Sequence, residues 1–315
     1  MVREIVASAP GKVNLHLGVG EARADGYHDL VSVFHAVDRR ETVRLAVVGE
    51  PGAGPVVESM RTTFFVDRPG EDIDGPKNLA WRAVEAVAAR AGVALPKVRI
   101  EVDKRVFVAG GMAGGSADAA AALVAANALA AEYGAALPPE ALHEFAASLG
   151  ADVPFALAGG TALGTGRGDE LAPMLSRGRL HWVFVNPKIG IPTGEAFSLL
   201  DDLRHTNPAL VPHLNTAELS QALTAGDATR VAAALHNDLE APALQMRPVL
   251  RGLLEAAGEA GRRAVVSGSG PTVAVLCDDA EHARWAAEHL AAEFDGAEVF
   301  VAEGPDGGAV VERVC

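Results

Sequence analysis

The amino-acid sequence predicts a protein of mixed helices and strands that is divided into two domains. The chain has 315 residues, a length that fits two domains or one large domain and is sufficient for a sizeable core. Valine-rich or alternating segments of strand length occur at 31–37, 43–48, 97–103, 181–185, 265–275 (two strands around a glycine-rich turn) and 297–302. Helical patterns lie between them, at 78–91, 119–131, 140–149, 193–200, 216–224, 228–236, 243–258 and 280–293. The pattern changes around 170–180 and the domain break is best placed near 155–170, so we expect domains at 1–160 and 161–315.

Proline and glycine mark the expected boundaries of these elements. Pro10-Gly11 is expected to end a first strand, because proline cannot donate to a sheet ladder. The segment 49–59 is rich in glycine and proline and is expected to be a loop. Asn78 is a plausible N-cap. Pro139 suits the first turn of a helix that ends at Gly150.

Charge and composition exclude some classes of protein. The net charge of −14 argues against nucleic-acid binding, which requires a basic face. Cys277 and Cys315 lack the spacing of a metal site, so a reducing compartment is expected. The N-terminal residues show no apolar region of a signal peptide, and the apolar run 119–131 is too short to cross a bilayer. We therefore expect a soluble cytoplasmic protein that does not bind a membrane.

A glycine-rich segment, Val106-Phe107-Val108-Ala109-Gly110-Gly111-Met112-Ala113-Gly114-Gly115-Ser116-Ala117-Asp118, precedes the alanine-rich helix. Four of its glycines fall within six residues. The pattern indicates a loop that opens a helix, and the free N–H groups and partial positive charge of a helix start suit a phosphate. The alternative is a flexible turn before a buried helix.

Four further residues, in two pairs, are candidates for a site. Lys12 and Asn14 point to the same face if 12–17 is extended, and together they could hold a phosphate and a hydroxyl. The alternative is a surface lysine at a turn. Tyr27 and His28 follow the turn Asp25-Gly26 and could stack on and hydrogen-bond a flat ligand. The alternative there is a partly buried tyrosine beside a solvent-facing histidine.

A rigidly placed carboxylate follows the helix that ends at Gly150. Asp152 lies just past this helix and before Pro154. The alternative is an ordinary aspartate in a turn at the end of a helix. Further along, Arg167 is a possible anion contact.

Several familiar catalytic signatures are absent from the sequence. There is no G-x-x-x-x-G-K-[ST] of a P-loop ATPase, and no G-x-G-x-x-G follows a strand as a dinucleotide fold would require. There is also no G-x-S-x-G, no H-E-x-x-H and no protein-kinase signature set.

Three separated motifs, taken in order, resemble the GHMP kinase superfamily. They are Pro10-Gly11-Lys12-Val13-Asn14, the glycine-rich loop 110–116, and Ser267-Gly268-Ser269-Gly270-Pro271-Thr272. The resemblance implies an α+β, two-domain GHMP kinase fold, with a ribosomal protein S5-like N-terminal domain and a ferredoxin-like C-terminal domain. It also implies that the glycine-rich loop binds the phosphates of ATP, with Mg²⁺ arriving on the nucleotide.

Finer features are similar to the 4-diphosphocytidyl-2-C-methyl-D-erythritol kinase family. They are Asp25-Gly26-Tyr27-His28, Asn78-Leu79, the segment 150–155, and Pro187 with Ile191-Pro192-Thr193. This resemblance implies transfer of the ATP γ-phosphoryl group to the 2-hydroxyl of a small cytidine diphosphate conjugate, in the non-mevalonate route to isoprenoid precursors. Lys12 and Asp152 match the catalytic pair.

The same resemblance assigns binding residues. The substrate residues are Asn14, Tyr27, His28, Thr193 and Phe197. The ATP residues are Val108, Ala109, Gly110, Gly111, Met112, Ala113, Gly114, Gly115, Ser116, Ala117 and Asp118, with Asn78 and Leu79. The metal ligands and the oligomeric state are left open.

The loop departs from the family pattern of three glycines, two serines and an asparagine. Ala113 takes the first glycine position, which implies a backbone angle that tolerates a Cβ, and Ala117 removes the second hydroxyl. The alternative functions are another small-molecule GHMP kinase, of homoserine or mevalonate type, and a non-catalytic nucleotide-binding sensor. The turn 25–28 and the segment 150–155 disfavour the former, and retention of Lys12 with Asp152 disfavours the latter.

Overall fold

The computed structural model describes residues 2–23, 26–67, 70 and 72–315, so Asp25 of the predicted turn lies outside the described residues. The strands are β1 (Glu4–Ala22), β2 (His28–Pro51), β3 (Val57–Phe64), β4 (Pro96–Lys104), β5 (Thr161–Thr165), β6 (Glu170–Pro173), β7 (Leu180–Asn186), β8 (His236–Asn237), β9 (Arg263–Val266), β10 (Val273–Cys277), β11 (Glu298–Gly304) and β12 (Val310–Val314). The helices are α1 (Leu79–Ala91), α2 (Gly114–Glu132), α3 (Pro139–Leu149), α4 (Val153–Ala158), α5 (Thr193–Thr206), α6 (Ala217–Ala225), α7 (Ala228–Ala234), α8 (Glu240–Met246), α9 (Val249–Ala260) and α10 (Ala280–Glu293). Among these helices, none combines the length and the apolar character needed to cross a membrane.

The first sheet is built around a long antiparallel pair, β1 and β2. Its strands follow the order β12-β1-β2-β4-β3, with β5 beside β2, β6 beside β5 and β8 beside β1. The predicted strand break at Pro10-Gly11 is wrong, because β1 continues through these residues with a register shift against β2. Such a bulge lets a strand pass a residue that has no N–H to donate. The predicted strands 31–37 and 43–48 are parts of the single strand β2, and 49–59 is a loop only between β2 and β3.

Helix α2 lies at the centre of the N-terminal core. It is buried along most of its length, because its alanine side chains allow close packing against α1 and the sheet. The predicted N-cap of α1 is confirmed, since Asn78 Oδ1 accepts a hydrogen bond from the Ala80 N–H at 2.8 Å. The core therefore fixes the end of α2 at which the glycine-rich loop enters the helix.

The second sheet has the strand order expected for a ferredoxin-like unit. Its strands β11-β7-β10-β9 are all antiparallel, which is the arrangement of a β-α-β-β-α-β chain with its strands in the order 4-1-3-2. The predicted helix 243–258 is two helices, α8 and α9, separated at Arg247 and Pro248. Proline lacks the N–H that would continue α8.

Both halves of the chain contribute to the first sheet. β5, β6, β8 and β12 follow residue 160 in the sequence and pair directly or through one another with β1 or β2. The sequence analysis does not predict β6, β8 or β12. The domain boundary at residue 160 stays a prediction.

We expect His35 to make the protein less stable in mild acid. His35 is fully buried on β2, where Trp182 of the second sheet lies 6.5 Å from its ring, and burial lowers its pKa to about 4. Between pH 6.5 and pH 4 the unfolded chain therefore binds a proton that the folded chain does not. The free energy of unfolding should fall by up to about 3 kcal/mol between pH 6.5 and pH 4. Below pH 4, His35 should cause no further loss.

Denaturant titrations of the wild type and His35→Asn at pH 7 and pH 5 measure this effect. Asparagine retains a polar group near Thr161 Oγ1, which His35 Nδ1 contacts at 2.8 Å, but does not titrate. The variant should lose less stability on acidification than the wild type does. The exposed His143→Asn should behave like the wild type. Equal losses in the wild type and His35→Asn would contradict the prediction.

Candidate active site

A cleft of about 850 Å³ brings together residues from all candidate motifs of the sequence except Asn78-Leu79. From the first motif and the turn after it, it is lined by Lys12, Asn14, Gly26, Tyr27 and His28. From the glycine-rich loop it is lined by Ala109, Gly110, Gly111, Ala113, Gly114, Gly115 and Ser116. Later segments contribute Asp152, Arg167, Thr193, Phe197, Gly268 and Ser269. The cleft therefore collects residues that are distant in sequence into one place.

Lys12 joins the first motif to the glycine-rich loop. Its Nζ donates to Asn14 Oδ1 at 2.6 Å and to the Gly111 carbonyl at 2.8 Å, and it lies 3.9 Å from Asp152 Oδ2. The prediction that Lys12 and Asn14 share a face is confirmed. Burial lowers the pKa of Lys12, and the charge of Asp152 partly opposes this shift. Lys12 thus loses its charge at a lower pH than an exposed lysine would.

The third motif supports the glycine-rich loop from the second sheet. Ser267 Oγ donates to the Gly111 carbonyl at 3.1 Å, and a Cβ on Gly111 would lie 2.0 Å from the Ser267 carbonyl oxygen. Asn237 in turn holds the third motif, donating to the Val266 and Gly268 carbonyls at 2.7 and 2.8 Å. Sequence analysis missed Asn237, because no local pattern indicates which distant carbonyls an asparagine will reach.

The loop enters α2 through strained alanines. Ala113, directly before α2, has φ 58°, and Ala109 has φ 52°. The angle expected at Ala113 is one that tolerates a Cβ, but the observed angle is in the left-handed region, where L-residues pay about 1–2 kcal/mol. The surrounding contacts keep Ala109 and Ala113 in this strained conformation, and such strain is common at ligand sites. Gly114, Gly115 and Ser116 lie in the first turn of α2 and line the cleft, and the Ser116 N–H donates to the Ala113 carbonyl at 3.0 Å.

Some residues assigned to ATP lie outside the cleft. Met112 and Ala117 are buried in the core and Val108 does not line the cleft. Asp118 lies beneath the loop, where Lys104 Nζ contacts its Oδ2 at 2.7 Å and Glu41 Oε1 at 2.8 Å. Burial raises the pKa of Asp118 and raises that of Glu41 to about 8.

Asn78 and Leu79 also lie outside the cleft, at the start of α1. The Asn78 side chain is used locally, because its Nδ2 donates to the Ile73 carbonyl at 3.0 Å while its oxygen caps the helix. A role for these two residues in binding the nucleotide stays a prediction.

The other part of the cleft carries an aromatic group. Tyr27 is 57% exposed and His28 only 7%, the reverse of the alternative reading in which the histidine faces solvent. The rings of His28 and Phe197 have centroids 5.2 Å apart at 32°. Asp201 accepts from His28 Nε2 at 2.9 Å. Sequence analysis missed Asp201, whose only local signal is its position one helical turn after Phe197.

The cleft offers oxygen donors of the type that Mg²⁺ prefers. The Ser116 hydroxyl and the Asp152 carboxylate both line it. Within the described residues, no group of three or more histidine, cysteine, aspartate or glutamate side chains is placed to hold a metal ion by itself. A divalent cation here would share its coordination with a phosphate ligand.

Family models and relatives agree with this geometry. The model for the N-terminal domain of GHMP kinases matches residues 78–160, and the model for their C-terminal domain matches residues 219–296. GHMP kinases use ATP as the phosphoryl donor. The matched ranges contain the glycine-rich loop, Asp152 and the third motif.

Curated relatives cover almost the whole chain. The 4-diphosphocytidyl-2-C-methyl-D-erythritol kinase of Corynebacterium efficiens is 46% identical over 98% of this chain and 96% of that protein. The enzyme of the same name from Rhodococcus jostii is 47% identical over 98% of this chain and 94% of that protein. A crystal structure of a 4-(cytidine 5'-diphospho)-2C-methyl-D-erythritol kinase superposes with a TM-score of 0.73 at 32% identity, covering 96% of this chain and 100% of that one. The chain therefore belongs to the GHMP kinases and, within them, to the 4-diphosphocytidyl-2-C-methyl-D-erythritol kinase family.

Proposed function

We propose that this chain transfers the γ-phosphoryl group of ATP to the 2-hydroxyl of 4-diphosphocytidyl-2-C-methyl-D-erythritol, a step in the formation of isoprenoid precursors. The observation that carries the proposal is the composition of one cleft. A glycine-rich loop at a helix start, a lysine–aspartate pair and an aromatic group all line it. A phosphate donor, a reacting hydroxyl and a flat base each have a matching surface there.

The glycine-rich loop would hold the phosphates of ATP. The N–H groups at the start of α2 and the helix dipole favour negative charge at this end. Lys12 lies against the loop through the Gly111 carbonyl, so its charge can offset the charge that develops on the transferred group. Asn78 and Leu79 are proposed to contact the rest of the nucleotide.

Asp152 would orient the attacking hydroxyl and accept its proton. It occupies the position before α4 at which an aspartate often caps the helix, yet it makes no side-chain cap. Its carboxylate instead lies near Lys12 and in the cleft. In a loose transition state the hydroxyl loses its proton late, so Asp152 acts first as an acceptor of a hydrogen bond.

Ser116 is the residue proposed to contribute an oxygen ligand to Mg²⁺. A bound Mg²⁺ supplies neutralisation of phosphate charge. Ala117 offers no hydroxyl, so Ser116 is the loop residue that provides one.

The acceptor would lie along the first motif and the aromatic group. Tyr27 and Phe197 are proposed to stack on the cytosine, with His28 at its edge, and Asn14 and Thr193 to contact the remainder of the substrate. Asn14 is held in place, since its Nδ2 donates to Ser32 Oγ at 2.7 Å. The Thr193 and Ser269 hydroxyls are 2.9 Å apart, which links the start of α5 to the third motif.

A comparison of acceptors tests the proposed function. Purified protein with Mg-ATP is given 4-diphosphocytidyl-2-C-methyl-D-erythritol, mevalonate or homoserine, and release of ADP is followed. Turnover with the cytidine compound alone is expected. Turnover with another acceptor instead, or none with any acceptor despite ATP binding, would overturn the proposal.

Replacing Tyr27 by alanine should mainly raise the KM for the cytidine substrate. Removing a stacked aromatic ring costs about 1–3 kcal/mol of binding per base, which corresponds to roughly a 5- to 150-fold increase. The kcat and the KM for ATP should change little, because Tyr27 lies in the turn between β1 and β2 and is not part of the glycine-rich loop. Steady-state kinetics measure all three, with Tyr27→Phe, which keeps the ring, as the matched control. An unchanged KM in Tyr27→Ala would remove this residue from the site.

A further inference from the structure

A bidentate contact joins α5 to the first residue of β2. Both oxygens of Asp201 lie within hydrogen-bond distance of His28 Nε2, at 2.9 Å for Oδ1 and 3.2 Å for Oδ2. Phe197 lies one turn earlier on the same face of α5 and packs against the His28 ring. Asp201, His28 and Phe197 all line the cleft. Helix α5 therefore holds the imidazole by its face and by one of its nitrogens.

Stability alone gives little reason for this contact. The Asp201 side chain is 36% exposed, and ion pairs that are open to water contribute little to folding. The His28 side chain is only 6% exposed, so its orientation is set by the groups around it rather than by solvent. We therefore expect Asp201 to determine which hydrogen-bonding atoms the His28 ring offers to a ligand.

The hydrogen bond between Asp201 and His28 determines which ring nitrogen can accept a hydrogen bond from a ligand. An ionised carboxylate only accepts hydrogen bonds, so Nε2 must carry the hydrogen. In a neutral imidazole the other nitrogen, Nδ1, is then an acceptor. Within the described part of the chain, no protein group forms a hydrogen bond with His28 Nδ1. The ring thus retains one unused acceptor in the wall of a ligand cleft.

We propose that Asp201 is a positioning residue that selects the base, by fixing His28 as a hydrogen-bond acceptor for the exocyclic amino group of a 4-aminopyrimidine. A 4-oxopyrimidine, which has a carbonyl at that position, would place an acceptor against an acceptor. Sites built on a directed hydrogen bond reject such analogues strongly, because a buried polar group is left unpaired. The inference rests on the proposed function and adds to it the role of Asp201 in orienting His28.

The test compares two acceptors that differ only in the base, the cytidine and the uridine diphosphate conjugates of methylerythritol. The kcat/KM is measured for each with saturating Mg-ATP, and their ratio is the selectivity. In Asp201→Ala the ring is no longer held, and the selectivity should fall by at least about tenfold, mostly through KM, with the KM for ATP unchanged. Asp201→Asn keeps an acceptor oxygen and should recover most of the lost selectivity.

A second readout does not depend on turnover. Nitrogen NMR of the ¹⁵N-histidine-labelled protein reports which ring nitrogen of His28 carries the hydrogen. When the ring is neutral, the wild type should carry its hydrogen on Nε2, and Asp201→Ala should show a mixture of tautomers. Asp202→Asn, which changes the neighbouring exposed carboxylate outside the cleft, is the matched control and should retain both selectivity and tautomer.

Four outcomes would overturn the inference. The first two are unchanged selectivity in Asp201→Ala and a wild-type His28 that carries hydrogen on both nitrogens or on Nδ1 alone. The third is an Asp201→Asn variant that is no more selective than Asp201→Ala. The fourth is a loss of selectivity in the Asp202→Asn control equal to that in Asp201→Ala. Failure of the proposed function is a separate result, because the wild type would then not phosphorylate the cytidine conjugate at all. If the wild type uses the cytidine conjugate and Asp201→Ala is as selective as the wild type, only the inference fails.

Discussion

Asp152→Asn is expected to lower kcat by about 10²–10⁴-fold, because the attacking hydroxyl loses the carboxylate that orients it and accepts its proton. Asparagine keeps the size of the side chain but cannot take the proton. The side chain is 33% exposed and makes no cap on α4, so its replacement should not unfold the protein. The KM for ATP should change much less than kcat, since the loop and Lys12 are retained.

Single-turnover and steady-state kinetics with Mg-ATP and the cytidine substrate measure this change. Asp295 is exposed, lies in the C-terminal half of the chain and does not line the cleft. Asp295→Asn is therefore the matched control and should retain wild-type kcat. Thermal unfolding of both variants checks that the fold is intact. A kcat close to wild type in Asp152→Asn would exclude this residue as the proton acceptor.

Gly111→Ala is expected to cost about 3 kcal/mol or more of folding stability, or to displace the loop and raise the KM for ATP. Gly111 has φ 77°, which costs an L-residue about 1–2 kcal/mol. Its Cβ would also lie 2.0 Å from the Ser267 carbonyl oxygen, and forcing atoms into a packed site costs about 1–3 kcal/mol. The obstacle is backbone, so no side chain can turn away to relieve it.

Gly134→Ala separates the two costs. Gly134 has φ 70°, and a Cβ there would meet nothing within 4 Å. Denaturant unfolding should therefore show the backbone cost alone, about 1–2 kcal/mol, in Gly134→Ala and a clearly larger loss in Gly111→Ala. Equal losses, with the KM for ATP unchanged in both, would show that Ser267 does not support the loop as the structure indicates.

Much of the site follows from local pattern. Lys12 and Asn14 share a face because strand side chains alternate, whatever the rest of the chain does. The glycine-rich loop before an alanine-rich run similarly predicts a helix start with free N–H groups, and α2 begins there at Gly114. These are properties of a few consecutive residues, so the sequence alone determines them.

Other features needed the full chain. The strands β8 and β12 are short segments, far along the sequence, that join the first sheet by pairing with β1. Neither segment has a local sequence pattern that predicts a strand. The bulge at Pro10 depends on β2 being present to pair on both sides of it. Proline's local tendency to end a strand was overridden by the hydrogen bonds gained along the rest of that pairing.

The sequence by itself determined the order of the motifs, the type of most helices and strands, and which residue types the site would contain. Only the tertiary structure decided which of them meet. Asp152 lies beside Lys12, Asp201 beside His28, and Ser267 against Gly111, through contacts between residues distant in the chain. Local propensity is set by neighbours in sequence, whereas these pairings are set by how the two sheets and their helices pack, and no short pattern records that packing.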